Sequence, residues 1–170
     1  MLVTPPRPAA PRFGVAFLLA QVGAQASNQF AQALAESNLT PALAGIMRML
    51  KVEPGLSQLQ LAERLGTAPS RVVAYLDDLE SRGWIARTRD STDRRVNVLS
   101  LTDAGQDAFT ALAVISRNHE KAVTGSLDDT EHATLHELLS KLAAAQQLTP
   151  GVHPGYRQPR PRDPAPEDAG

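Results

Sequence analysis

The densest charged segment of the sequence is a group of arginines between residues 82 and 95. It contains five arginines against two aspartates, and the arginines are Arg82, Arg87, Arg89, Arg94 and Arg95. Guanidinium groups bind phosphate oxygens and guanine edges through paired hydrogen bonds. Because the whole chain has a net charge of −1 at pH 7, this basic character is local rather than global. The group therefore indicates either a solvated hairpin tip or a surface that contacts nucleic acid.

Residues suited to catalysis or metal binding are sparse. The sequence shows no Ser-His-Asp order and no glycine-rich phosphate loop, and its lack of cysteine excludes disulfides, cysteine-ligated zinc and thiol-based sensing. His132 and His136 are four residues apart, a spacing found in helical metal sites, although both could simply be exposed on a polar helix face. We expect no enzyme activity and no cofactor, and we keep a metal-responsive protein as an alternative.

Two short helices precede the arginines. Ser57 and Gln60 form a capping box that starts the first helix, and Gly66 can end it at positive φ. Pro69 suits the first turn of the second helix. The apolar residues of this second helix recur at helical spacing and are Val72, Tyr75, Leu76 and Leu79. Two short helices joined by a glycine-containing turn predict a helix-turn-helix.

Strand-like segments follow at residues 84–88 and 96–101, on either side of a polar tip, and predict a hairpin. Further helices are expected behind the caps Thr40, Thr102 and Asp128. The predicted fold class is mainly α with a small β-hairpin wing. It combines a winged helix-turn-helix with additional helices near the two chain ends.

Three motifs give this arrangement a family resemblance. Residues 79–84 read Leu-Glu-Ser-Arg-Gly-Trp, residues 90–95 read Asp-Ser-Thr-Asp-Arg-Arg, and residues 99–105 read Leu-Ser-Leu-Thr-Asp-Ala-Gly. In this order and spacing they resemble the MarR family of bacterial regulators, over residues 13–148. The resemblance implies a cytoplasmic, dimeric, winged-helix transcription regulator, usually a repressor.

In such a fold the second helix of the motif enters the major groove of double-stranded DNA. With its apolar residues facing the core, the groove-facing residues would be Ser70, Arg71, Val73 and Ala74. Arg71 can bind guanine through two hydrogen bonds, and Val73 can meet a thymine methyl. The family more often has Ser or Thr at Ala68, Thr at position 73 and Arg at position 74, so its operator preferences do not transfer to this chain.

The resemblance also implies DNA contacts for the residues of the wing. In the family pattern the carboxylate of Asp93 orients Arg95, which points into the minor groove and reads groove width. Arg87, Arg89 and Arg94 would then contact phosphates, which position the protein without specifying sequence.

The chain ends divide the sequence into domains. Residues 1–12 carry four prolines and predict a disordered arm, and residues 149–170 predict a disordered Pro-rich tail. Between them, helices in residues 13–37 and 102–148 flank a DNA-binding part at residues 40–101. The apolar stripes of the terminal helices could close within one chain. The resemblance instead implies a two-fold homodimer on a pseudo-palindromic operator.

The first helical segment allows other interpretations. Residues 13–35 are apolar enough to resemble a signal peptide or a membrane helix. Polar residues interrupt the apolar stripe at Gln21, Gln25, Asn28, Gln29 and Gln32. We therefore expect an interface helix of a cytoplasmic protein and no membrane partner.

The resemblance also implies a small ligand, often aromatic or phenolic, that binds between the dimer helices and the winged helix. No residue of the sequence identifies this ligand. An alternative function is a winged helix that binds another protein, which the near-neutral net charge would favour.

Overall fold

The computed structural model describes residues 13–90 and 95–152. In these residues the elements are α1 (Val15–Ala35), α2 (Pro41–Val52), α3 (Gln58–Leu65), α4 (Pro69–Ser81), β1 (Ile85–Arg89), β2 (Asn97–Leu101), α5 (Asp103–Thr124) and α6 (Asp129–Ala145). This order confirms the predicted, mainly α fold with one β-hairpin.

Side-chain caps fix where the helices begin. Thr40 accepts a hydrogen bond from the backbone N–H of Leu43 at 3.3 Å and so starts α2. Ser57 and Asp128 each form a full capping box, at α3 and α6. Thr102 caps α5 by accepting from the N–H of Gly105 at 3.0 Å. Each cap contributes about 1 kcal/mol, so the predicted starts are confirmed with their physical cause.

The turn between α3 and α4 depends on Gly66, which adopts the left-handed region at φ 61°. Its N–H donates to Glu63 O at 3.1 Å, and the N–H of Thr67 donates to Ala62 O at 3.1 Å, which closes the end of α3. Ala68 then occupies the N-cap of α4 without a side-chain hydrogen bond. The helix-turn-helix prediction is confirmed.

The core is formed mainly by leucines, and α2 runs through its centre, where it contacts α1, α4, α5 and β2. In α4, Val72, Leu76 and Leu79 are buried, and α2 and α3 contribute further buried residues, which are Leu43, Ala44, Ile46, Met47, Leu50, Leu61, Ala62 and Leu65. Tyr75 and Trp84 are half-buried and pack against this core. The inner face of α4 is therefore fixed, and its opposite face is left for other contacts.

The hairpin is anchored at its base. Ile85 pairs with Leu101, and Arg87 pairs with Leu99, in an antiparallel register. Leu99 is buried, and it exchanges backbone hydrogen bonds with the α2–α3 connection: its N–H donates to Leu56 O at 2.9 Å and its carbonyl accepts from Gly55 at 3.0 Å. This connection fixes the root of the hairpin, while the strands project outward beyond Leu99.

The terminal helices expose apolar surface. In α1, Leu34 is buried, whereas Phe17 is 51% exposed. Within the described chain α6 buries no side chain, and its Leu138 is 54% exposed. The alternative in which these stripes close on the winged helix within one chain is therefore not what the structure shows.

The inner end of α1 is held on α5. The Nε2–H of His119 donates to the carbonyl of Ala26 at 2.9 Å, and the ring of Phe30 lies 5.1 Å from the His119 ring. Together with the burial of Leu34, these contacts make α1 an integral helix of the fold. No helix in residues 13–90 or 95–152 has the length and hydropathy needed to cross a membrane.

The first four residues assigned to the predicted tail belong to the described chain. Residues 149–152 are part of the described chain, and Val152 packs against the core. The contact draws the start of this segment onto the helical body, which its proline-rich composition did not indicate. The predicted arm at residues 1–12 and the rest of the tail, residues 153–170, lie outside the described residues.

Candidate nucleic-acid interface

The outer face of α4 presents the residues predicted for base contacts. Ser70 and Ala74 are exposed, and Arg71 and Val73 are half-buried. Because an α-helix turns by about 100° per residue, Ser70, Ala74 and Asp77 form one strip along the helix. Arg71 lies beside Ala74, about one turn before it. The structure therefore brings the four predicted residues to one end of α4, opposite its buried face.

The outer part of the hairpin carries exposed arginines. Arg89 ends β1 and Arg95 precedes β2, and both are exposed. The N–H of Asp90 donates to Val96 O at 2.9 Å and closes the strands at this end. Asp93 and Arg94 lie outside the described residues, so the pairing of Asp93 with Arg95 remains a prediction.

The guanidinium of Arg87 binds two carboxylates of the protein and is not directed to solvent, where a phosphate contact would be made. Its Nη1–H donates to Glu80 Oε2 and its Nη2–H to Asp77 Oδ1, each at 2.5 Å. The side chain is 24% exposed. Alternation along β1 places Arg87 on the same face as the buried Ile85. Arg89 shares this face but ends the strand, where its side chain is exposed.

Arg82 is also directed inward. It donates to Asp78 at 2.7 Å and to the backbone carbonyl of Asn38 at 2.9 Å, and its guanidinium lies 5.2 Å from the centroid of the Trp84 ring. These contacts tie the end of α4 to the α1–α2 connection. Among the described arginines of the segment, Arg82 and Arg87 thus support the fold, and Arg89 and Arg95 are exposed.

A cavity of about 680 Å³ lies between α2, α5 and the end of the described chain. Phe30, Phe109 and Leu112 contribute to its apolar walls. Its basic residues are Arg48, Lys51 and Arg117. Sequence reasoning did not find this cavity, because its walls come from residues as far apart as Phe30 and Val152. The sequence feature that could have indicated it is the basic pair Arg48 and Lys51, which are one helical turn apart on α2.

The histidines of α6 do not converge on a metal site. His132 Nε2 lies 3.0 Å from Glu120 Oε1, and His136 is exposed. Across residues 13–90 and 95–152, no three His, Cys, Asp or Glu side chains come together as metal ligands would. The structure therefore gives the metal-responsive alternative no support in this part of the chain.

Comparisons with known proteins connect this geometry to a family. The family model for the MarR family matches residues 39–96, which span α2 to the hairpin. A Thauera aromatica protein, described as a transcriptional regulatory protein for the hcr operon, is 32% identical over 126 residues, 74% of this chain and 76% of that protein. The chain belongs to the MarR family. A second relative, the HTH-type transcriptional repressor MdtR of Bacillus subtilis, is 31% identical over 68% of this chain and 75% of its own length.

Solved structures support the same membership. The transcriptional repressor CouR, solved with a 23-mer DNA duplex, superposes on this MarR family protein with a TM-score of 0.68 at 30% identity. The match covers 76% of this chain and 92% of CouR. The resemblance stated from the three sequence motifs is therefore confirmed, and the winged-helix fold of this chain is one that binds duplex DNA in CouR.

Proposed function

We propose that this MarR family protein is a dimeric, sequence-specific DNA-binding transcription regulator that represses its target and is relieved by a small ligand. The observation that carries the proposal is the outer face of α4, where Ser70 and Arg71 lie beside a hairpin with exposed Arg89 and Arg95. Its relatives are transcriptional regulators, and CouR was solved on duplex DNA. A cytoplasmic location follows from a DNA target.

The exposed stripes of α1 and α6 support the dimer. Two copies related by a two-fold axis would bury these stripes against each other and place their α4 helices about 34 Å apart, one turn of DNA. The matching site is a pseudo-palindromic operator. In each half-site α4 would enter the major groove, and Arg95, oriented by Asp93, would enter the minor groove. Arg89 and Arg94 would neutralise phosphates.

A DNA shift assay tests the proposal directly. The probe is the promoter region beside the protein's own gene, at a stated salt concentration, with random duplex of equal length as the competitor. We expect a shift that the random duplex does not abolish at equal concentration. If no shift appears even at low salt, the winged helix serves instead to bind another protein.

Arg71→Ala is expected to weaken binding to the cognate operator by roughly 1–3 kcal/mol, because a bidentate contact to guanine is lost. The loss should come with relaxed preference at one base pair in each half-site, which binding to a library of single-base operator variants would measure. Arg89→Ala is the matched control, since the loss of a phosphate contact weakens binding to cognate and random DNA alike. An unchanged base preference in Arg71→Ala would show that Arg71 does not contact a base.

The cavity supports the ligand response. Its volume of about 680 Å³ lies within the range of roughly 300–1,000 Å³ typical of small-molecule sites. Aromatic walls beside Arg48 and Arg117 favour a flat, anionic molecule such as an aromatic carboxylate or phenolate. Because α2 and α5 line the cavity and α2 also contacts α4, a ligand that prefers one arrangement of these helices would change DNA affinity.

The charge of the cavity gives a test with simple probes. We expect benzoate to bind more tightly than benzamide, which has the same ring and no charge. Arg48→Met should weaken benzoate binding about tenfold, as expected for a lost charge-assisted hydrogen bond. Arg64→Met is the control, because Arg64 is paired with Glu53 at 3.0 Å outside the cavity. Calorimetric titration would measure both probes, and equal affinity for benzoate and benzamide would contradict an anion site.

A further inference from the structure

Two carboxylates of α4 hold the guanidinium of Arg87 within the protein. Both terminal nitrogens of its guanidinium are hydrogen-bonded to carboxylates of α4, at 2.5 Å each. The remaining nitrogen, Nε, is buried and has no hydrogen-bond partner among the described residues. A buried polar atom without a partner is costly, and in this arrangement the two bonds to carboxylates offset that cost. A phosphate contact would require this arginine to leave two carboxylates for one phosphate.

The partners of Arg87 lie on the DNA-facing helix. Asp77 follows Ser70 by seven residues and Ala74 by three, so it lies on the strip proposed to face the groove. Its side chain is 57% exposed. Without a cation beside it, this carboxylate and that of Glu80 would repel the phosphate backbone. Arg87 offsets this charge while taking no part in the groove itself.

Arg87 also joins β1 to α4. It lies at the centre of β1 and pairs with Leu99, the last hairpin residue that is buried. A two-stranded hairpin is marginally stable by itself, so its direction depends on what its strands contact. The planar fork of an arginine, held by two carboxylates one helical turn apart, restrains both distance and angle.

We infer that Arg87 is a positioning residue, which fixes the wing against the DNA-reading helix α4 by bridging Asp77 and Glu80. It does not itself contact phosphate. This inference rests on the proposed DNA-binding function and revises one predicted phosphate contact. It assigns the acidic pair of α4 a role as well, since these carboxylates set the angle at which the exposed arginines of the hairpin approach DNA.

The test compares four proteins on cognate and random duplex over a range of salt concentrations. They are the wild type, Arg87→Met, Arg87→Lys and Arg89→Met. A positioning residue affects the cognate complex selectively, so Arg87→Met should lose roughly tenfold in cognate affinity, with a smaller loss on random DNA and an unchanged salt slope. Arg87→Lys should not restore cognate affinity, because an ammonium cannot bridge two carboxylates as a planar fork does. Arg89→Met should lower the salt slope by about 0.9 per protomer.

A second variant removes the same contacts by changing the two carboxylates that bind Arg87. Asp77→Asn combined with Glu80→Gln leaves Arg87 in place and removes its partners. Positioning predicts a lower ratio of cognate to random affinity in this variant, although the lost negative charge strengthens binding to random DNA. A phosphate-binding Arg87 predicts that the released arginine raises both affinities and preserves the ratio, which would overturn the inference.

The outcomes separate the inference from the function on which it rests. If the wild type binds neither duplex, both fail. If the wild type binds cognate DNA, while Arg87→Met lowers the salt slope and Arg87→Lys restores the affinity, the inference alone fails and the DNA-binding function stands. A cognate-selective loss in Arg87→Met and in the double variant, with thermal unfolding like that of the wild type, supports it.

Discussion

Leu138→Asp is expected to leave the protein monomeric at micromolar concentration and to lower its affinity for a palindromic operator by roughly 10²–10⁴-fold. The leucine is 54% exposed and shares its stripe with three other leucines of α6. In the proposed dimer an aspartate at this position would be desolvated without a partner, which costs several kcal/mol. Once the subunits separate, each monomer binds one half-site alone, and the higher affinity that comes from binding two half-sites at once is lost.

Light scattering and a shift assay on the same preparation would measure both effects. Ser140→Asp is the matched control, because it adds the same charge to the opposite, exposed face of α6. We expect this control to remain dimeric and to bind like the wild type. A Leu138→Asp protein that scatters as a dimer would show that α6 is not part of the subunit interface.

Gly105→Ala is expected to lower the free energy of unfolding by about 2–3 kcal/mol, because there is no space for a side chain at this position. A Cβ there would lie 1.9 Å from the carbonyl oxygen of Trp84, a backbone atom that cannot rotate away. That same oxygen accepts a hydrogen bond from the N–H of Thr102 at 3.0 Å. Relief of the clash would therefore pull the first turn of α5 away from the base of the hairpin.

Chemical denaturation of the dimer at one fixed protein concentration would measure this loss. Ala104→Gly is a suitable comparison, because it changes the adjacent exposed residue by one methyl group and should cost about 1 kcal/mol through helix propensity. Equal destabilisation by the two substitutions would mean that the junction relaxes more easily than its geometry indicates.

Local signals in the sequence predicted most of the fold. The hydroxyl of Ser57, the positive φ available to Gly66 and the fixed φ of Pro69 each act within a few residues, so their effects can be read from spacing alone. The hairpin was predicted to within one residue at the ends of its strands for the same reason. The exposed positions of Ser70 and Ala74 followed from the helical period of their buried neighbours.

The environments of the arginines could not be predicted from the sequence in the same way. Arg82, Arg87 and Arg89 have the same chemistry and occur within eight residues, yet two of them are half-buried beside carboxylates of α4 and one is exposed. Arg82 pairs with Asp78, four residues before it at the end of α4, whereas Arg87 reaches Asp77 and Glu80 only because α4 packs beside β1. The cavity was unpredictable for a related reason, since residues from α1 to the chain segment after α6 must meet to form it.

The exposure of α6 makes this protein sensitive to its own concentration. In the proposed dimer a helix that buries no side chain within the described chain gains its packing from the second copy, so association and the burial of α6 become one equilibrium. By mass action, the fraction of chains with a complete set of packed helices rises with the amount of protein in the cell. A repressor of this kind, if it acted on its own gene, would thus sense its abundance through the stability of its fold as well as through occupancy of its operator.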